Sequence, residues 1–135
     1  MSAPKTILVV DDDPDYVKLL AARLKARGYA VRAATDGRAG LEAAQTQAPD
    51  LVILDLLLPR MNGYEVCTLL KQDTRYRHLP VLIFSGKTER KDRELALSCG
   101  ADAYLTKPYT PEELFQQLDR LLGAPPAPAA GPPPA

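Results

Sequence analysis

The sequence predicts an α/β fold, a five-stranded parallel sheet doubly wound in (βα)5 order with helices on both faces. Five apolar runs alternate with five helical patterns, which is the signature of βαβ units rather than hairpins. Three of the runs, Ile7-Leu8-Val9-Val10, Leu51-Val52-Ile53-Leu54 and Val81-Leu82-Ile83-Phe84, are short and uninterrupted, as strands covered on both faces are. At 135 residues and 46% hydrophobic, the chain suits one domain that buries roughly two thirds of its unfolded surface. That domain is expected over residues 1–123, with 124–135 as a Pro/Ala-rich disordered tail or linker stub.

The first strand, Thr6 to Val10, ends in Asp11-Asp12-Asp13, and Pro14 follows where a helix can begin. Asp13 is read as the N-cap rather than as a ligand, with Pro14 at the first helical position. Val17, Leu20, Ala21 and Leu24 then recur on one face until Gly28 stops the helix. Ala30 to Ala34 is the second strand, and Arg32 suits a sheet edge. Asp36 caps an alanine-rich helix that runs to about Gln47, before Pro49.

The third strand is Asp50 to Asp55, followed by Pro59 and the Asn62-Gly63 turn signal. Asn62 and Glu65 form a variant capping box for a helix ending near Gln72, and Asp73 to Leu79 is a polar loop. Pro80 to Ser85 is the fourth strand. A charged stretch, Lys87 to Glu94, opens a largely exposed helix with Leu95, Ala96 and Cys99 as its apolar positions. The fifth strand, Asp102 to Thr106, leads to Lys107-Pro108, and Thr110-Pro111-Glu112-Glu113 starts the last helix, which carries Leu114, Leu118, Leu121 and Leu122.

Seventeen basic residues balance seventeen acidic ones, so no global field attracts nucleic acid or an anionic membrane. No apolar run approaches the roughly 20 residues of a membrane span, and Met1 to Lys5 have no signal-peptide core, so the chain is expected in the cytoplasm. Cys67 and Cys99 show no metal spacing and are read as buried, reduced core residues.

In a parallel sheet every strand ends on the same edge, and ligands bind in the crevice outside the carboxyl ends. That rim carries Asp11, Asp12, Asp55, Ser85 and Lys107. Three carboxylates in one crevice call for a cation, and all-oxygen ligands favour a hard ion such as Mg²⁺. A lysine and a hydroxyl beside it complete an electrostatic clamp for a phosphoryl group. Asp55 is then the nucleophile, forming an acyl phosphate.

Three blocks at these positions carry a resemblance: Ile7-Leu8-Val9-Val10-Asp11-Asp12-Asp13-Pro14, then Asp50 to Asp55 with Pro59 and Gly63, then Gly100-Ala101-Asp102-Ala103-Tyr104-Leu105-Thr106-Lys107-Pro108-Tyr109. From about Lys5 to Leu122 the chain resembles the receiver domain of two-component response regulators. The resemblance implies a flavodoxin-like sandwich with strand order 2-1-3-4-5. It implies Asp55 as phosphoacceptor and a Mg²⁺ (or Mn²⁺) ion held by Asp12, Asp55 and the backbone carbonyl of Leu57, with Asp11 acting through metal-bound water. It further implies Lys107 neutralising the phosphoryl oxygens, Ser85 bonding the phosphoryl group, Tyr104 changing rotamer in response, and a cis bond before Pro108. The donor implied is a histidine kinase or phosphotransfer protein, and the output is a change of protein contacts on the face formed by the helix after Ser85 and the fifth strand.

The chain departs from the family pattern in places. Ser85 stands where threonine is common and Gly86 where alanine is usual, which loosens the switch loop. Leu57 and Lys87 occupy positions that tune access of attacking water, and an apolar Leu57 points to a longer-lived phosphoform. His78, the only histidine, is read as a solvated surface residue. The Lys87 to Glu94 run reads as a solvated face, with Leu95, Tyr104 and Tyr109 nearby as a candidate interface centre.

Two other functions compete. A haloacid-dehalogenase-type phosphatase also places Asp-x-Asp after its first strand, but no acidic pair follows Lys107 and Asp55 would go unexplained. A phosphorylation-independent, receiver-like scaffold has little need of the intact acceptor, metal and lysine set. No helix-turn-helix or second core follows Leu122, so no direct nucleic-acid binding and no membrane contact is expected. The chain is expected to be a stand-alone receiver or one cut at the linker to an output domain, monomeric or dimerising on phosphorylation, with an unidentified downstream protein target.

Overall fold

In the computed structural model the apolar runs are the strands of one sheet: β1 (Thr6–Val10), β2 (Ala30–Ala34), β3 (Leu51–Asp55), β4 (Val81–Ser85) and β5 (Ala103–Thr106). The structure describes residues 4–86, Glu94 and residues 97–123. All pairings are parallel and the order is β2-β1-β3-β4-β5, as the resemblance implied. The most apolar runs take the centre, because only there are both faces covered. β1, β3 and β4 are buried along almost their whole length, whereas β2, with Arg32, is a half-exposed edge.

The helices are α1 (Pro14–Ala26), α2 (Gly37–Thr46), α3 (Gly63–Gln72) and α4 (Pro111–Leu122). Each starts on the cap the sequence offers. Asp13 accepts from the Asp15 and Tyr16 amides, Asp36 accepts from the Ala39 amide at 2.8 Å, and both Asn62–Glu65 and Thr110–Glu113 close capping boxes. Caps of this kind contribute about 1 kcal/mol each, so the helix starts are set locally before packing acts. The helix predicted between β4 and β5 falls largely outside the described residues, as do Lys87, Leu95, Ala96 and the 124–135 tail; Glu94, Leu97 and Ser98 are helical.

The alternation of side chains along the strands divides the core in two. On one face Leu8, Val52, Leu54 and Ile83 pack with Ala43 and Ala44 of α2 and Val66, Cys67 and Leu70 of α3. On the other, Ile7, Val9, Ile53 and Phe84 pack with Leu20 and Leu24 of α1 and Leu114 and Leu118 of α4. The small residues of α2 have a steric reason: a Cβ on Gly40 would come within 2.7 Å of the Val10 side chain.

Two expectations need correction. Cys67 is fully buried, but Cys99 lies in the turn before Gly100 and is only half-buried; the Cys67 thiol donates to the Cys99 carbonyl at 3.6 Å. Tyr104, placed at the centre of a surface interface, is instead 6% exposed and belongs to the core on the α2–α3 face. Aromatic residues on a buried strand pack inward unless that face is left uncovered.

Candidate functional site

Because the strands are parallel, the residues after β1 and at the ends of β3, β4 and β5 meet at one edge. Register sets their heights: Val10 pairs with Leu54, Asp55 with Phe84, and Ser85 with Thr106. Asp11 and Asp12 therefore follow β1 level with Asp55, and Lys107 follows β5 one step above Ser85. The Lys107 amide donates to the Ser85 carbonyl at 2.7 Å, extending the ladder to the lysine itself.

Asp11, Asp12 and Asp55 each offer a carboxylate oxygen within 4.8 Å of the others. They differ in exposure: Asp11 is buried, Asp12 exposed and Asp55 between the two. Lys107 Nζ donates to Asp11 Oδ2 at 3.0 Å and stands 3.8 Å from Asp55 Oδ2. One ammonium thus stands beside two of the three carboxylates. Burial raises the Asp55 pKa above the usual carboxylate range; the Lys107 ammonium and a bond from the Leu57 amide pull it down, while Asp11 and Asp12 push it up. A hard divalent cation fits this donor set, since it accepts oxygen ligands and relieves their mutual repulsion.

The loop after β3 is clamped from two sides. The Gly63 amide donates to the Leu56 carbonyl at 3.0 Å, and a Cβ on Gly63 would lie 2.5 Å from the Asp55 carbonyl oxygen. The Gly37 amide donates to the Pro59 carbonyl at 3.2 Å, and a Cβ there would fall 1.6 Å from the Met61 carbonyl oxygen. Glycine is required at both places, and the loop is fixed against the starts of α2 and α3. Within it the Leu57 side chain is 61% exposed.

Ser85 is fully buried at the end of β4, and Gly86 beside it has open space where a Cβ would sit. Tyr104 pairs with Ile83, so Tyr104, Ile83 and Ser85 share one sheet face. The Lys107–Pro108 peptide bond is cis. His78 is exposed in the loop after α3, away from the strand ends.

Two tyrosines also belong to the site: Tyr16, which the sequence did not single out, and Tyr109, which it placed in a surface interface. Tyr16, in the first turn of α1, places its ring 4.2 Å from Lys107 Nζ, and its hydroxyl is hydrogen-bonded to that of Tyr109. Tyr109 in turn packs on Phe84 with ring centroids 4.7 Å apart. The only signal for Tyr16 was directional: side chains in a helix lean towards its N-terminus, here towards the rim.

Comparison with known proteins agrees with this geometry. A family model described as response regulator receiver domain matches residues 7–119. The alkaline phosphatase synthesis transcriptional regulatory protein PhoP of Bacillus subtilis is 42% identical over 118 residues, which are 87% of this chain and 48% of that protein. The chain thus spans about half the length of the curated relatives it matches. Among solved structures, chemotaxis protein CheY4 of Vibrio cholerae superposes with a TM-score of 0.82 at 32% identity, covering 89% of this chain and 100% of that one. The receiver domain of sensor histidine kinase PA1611 from Pseudomonas aeruginosa has a magnesium ion coordinated in its active site cleft. It superposes with a TM-score of 0.83 at 30% identity, covering 90% of this chain and 100% of that one. The strand order, the carboxylate cluster at the sheet's carboxyl edge and these matches lead to one conclusion: the chain belongs to the response regulator receiver domain family.

Proposed function

We propose that this chain is a cytoplasmic phosphoacceptor module that takes a phosphoryl group onto Asp55 from a histidine kinase or phosphotransfer protein and changes its protein contacts as a result. The observation that carries this reading is the placement of Lys107, 3.0 Å from Asp11 and 3.8 Å from Asp55, over a three-carboxylate cluster. In the transfer, an Asp55 carboxylate oxygen bonds to phosphorus as the bond from phosphorus to the donor nitrogen breaks and the electron pair leaves with the donor. The protein's part is positioning and charge stabilisation rather than covalent activation of the donor.

Asp12, Asp55 and the Leu57 carbonyl would hold Mg²⁺, with Asp11 acting through water, and Mn²⁺ suits the same oxygens. The ion supplies charge neutralisation at the phosphoryl oxygens. Lys107, already between Asp11 and Asp55, supplies a second positive charge without a change of place. Ser85 and Tyr104 then carry the response. Ser85 is buried beside the end of β3, so its engagement with a new anion must draw in the loop that begins at Gly86. Tyr104 lies diagonally across from Ser85 on the same face, within reach of an aromatic side chain, so repacking at one alters the space available to the other. The contact surface read out would be the face around β5 and residues 97–102. The chain catalyses only its own phosphoryl transfer and dephosphorylation on this reading, and several relatives are named as DNA-binding regulators.

The test is incubation with Mg²⁺ and acetyl phosphate followed by intact mass, for the wild type beside Asp55→Asn. One phosphoryl adduct on the wild type, absent without Mg²⁺ and absent in the variant, is expected. No adduct, together with no binding of beryllofluoride, would overturn the reading in favour of a phosphorylation-independent scaffold.

A further inference from the structure

Lys107 is a long side chain at the head of a loop, and such a side chain needs a reason to stay over Asp55. Its ammonium is held on one side by Asp11 Oδ2 at 3.0 Å. On another side stands the Tyr16 ring, its centroid 4.2 Å from Nζ, well within the range where a cation is drawn to an aromatic face. Next to it a cavity of about 350 Å³ opens, lined by Tyr16, Arg23, Lys107, Pro108 and Tyr109. Lys107 itself borders this space, where Arg23 offers the ammonium a like charge rather than a counter-ion.

We infer that Tyr16 is a positioning residue for Lys107: its ring wall keeps the ammonium over Asp55 and out of the adjoining cavity. The inference rests on the phosphoacceptor reading. The ring is itself held at both ends. Its Cα is in the first turn of α1, which Asp13 caps, and its hydroxyl is bonded to the Tyr109 hydroxyl. Tyr109 is wedged against Phe84, and Phe84 pairs directly with Asp55. The wall is thus tied through one hydrogen bond and one aromatic contact to the strand next to the acceptor. When a phosphoryl group joins Asp55, the negative charge on that side of Nζ, already 3.8 Å away as the Asp55 carboxylate, grows. The neutral Tyr16 face then keeps the ammonium where it already stands, beside the new charge.

The test is a double-mutant cycle on the rate of phosphorylation by acetyl phosphate at saturating Mg²⁺, with Tyr16→Leu, Tyr16→Phe, Lys107→Met and the Tyr16→Leu/Lys107→Met pair. Tyr16→Leu keeps apolar bulk without an aromatic face and is expected to slow the reaction roughly 2- to 10-fold, the rate equivalent of one cation–π contact. Tyr16→Phe keeps the face and is expected to stay within about twofold of wild type. In the Lys107→Met background Tyr16→Leu should change nothing further, because its effect runs through the lysine. Equal slowing in both backgrounds, or no slowing by Tyr16→Leu, overturns the inference. Placement is tested separately, without any phosphoryl donor, by nuclear magnetic resonance: the Lys107 ε-protons should be ring-current shifted in wild type and Tyr16→Phe and lose that shift in Tyr16→Leu. If the shift is present but no variant takes a phosphoryl group, the phosphoacceptor reading fails and takes the inference with it. If the shift is absent from wild type, the inference alone fails.

Discussion

Replacing Asp55 with asparagine should make the protein more stable at neutral pH in the absence of divalent cations. The Asp55 carboxylate is attracted by Lys107 at 3.8 Å, which at an effective dielectric constant near 20 amounts to about 4 kcal/mol. It is repelled by buried Asp11, whose carboxylate oxygen lies within 4.8 Å, by about 3.5 kcal/mol on the same basis. Water screens most of the share of exposed Asp12, which adds a little more repulsion. The charge terms nearly cancel, so burial decides the sign, and burial is the largest influence raising the Asp55 pKa. The net cost of the ionised carboxylate is on the order of 1–2 kcal/mol, which asparagine removes while keeping the shape. For a domain of this size that gain raises Tm by roughly 4–8 °C.

The pH dependence follows from the same shift. A carboxylate whose folded pKa is raised is protonated in both states below its ordinary value of 3.8, where it contributes no difference. As pH rises from there through the raised folded value, the unfolded state ionises first and the wild type loses stability. The gap between Asp55→Asn and wild type should therefore be small near pH 4 and reach a plateau by neutrality. Thermal melts followed by circular dichroism in chelator from pH 4 to 8 measure it, and titrating groups remote from the rim cancel in the difference. A variant less stable than wild type at pH 7, or a gap that does not change with pH, would refute the charge reasoning.

Two further substitutions test how the rim is supported. Gly37→Ala places a methyl group 1.6 Å from the Met61 carbonyl oxygen, so backbone must move; a loss of about 2–3 kcal/mol is expected in urea denaturation. Lys71 donates to the Leu79 carbonyl at 2.8 Å, the Arg77 carbonyl at 3.2 Å and Asp102 Oδ2 at 2.7 Å, pinning the loop before β4 to the start of β5. Lys71→Met keeps the apolar stem and strips those bonds, for an expected loss of about 2 kcal/mol by the same assay.

Most of the fold was legible because it is written in local signals. Each described helix starts on a side chain that accepts from its own first turn, and each central strand is apolar throughout because two helical layers cover it. Strand order was not local in this sense; nothing in the periodicity of Ala30 to Ala34 places it beside β1, and the order came from the family resemblance. The rim was legible for a geometric reason: parallel strands align their ends, so polar residues closing apolar runs must meet. Contacts between a helix and a distant loop were not. Tyr16 meets Lys107 and Tyr109 across more than 90 residues, and Gly37 meets Met61, only because of how far α1 and α2 are rotated on the sheet. Cys99 illustrates the same blindness, since the half-exposure of a turn residue depends on what packs beside it.

The distribution of space around the rim constrains where any response to a charge on Asp55 can go. β1, β3 and β4 are close-packed beneath it, with Val10, Leu54 and Ser85 all at 0% exposure, so the strands themselves have no room to shift. The loop after β3 is clamped at Gly37 and Gly63. Gly86, just after β4, has open space where a Cβ would sit. Tyr104 is buried, and the residue borders a groove of about 180 Å³ shared with Leu97, Asp102, Ala103, Gln117 and Arg120. Ser85 lies diagonally across the sheet from it on the same face. On the proposed function a rearrangement at Ser85 would pass to Tyr104 and β5, since among the described residues β1 and β3 beside it are close-packed.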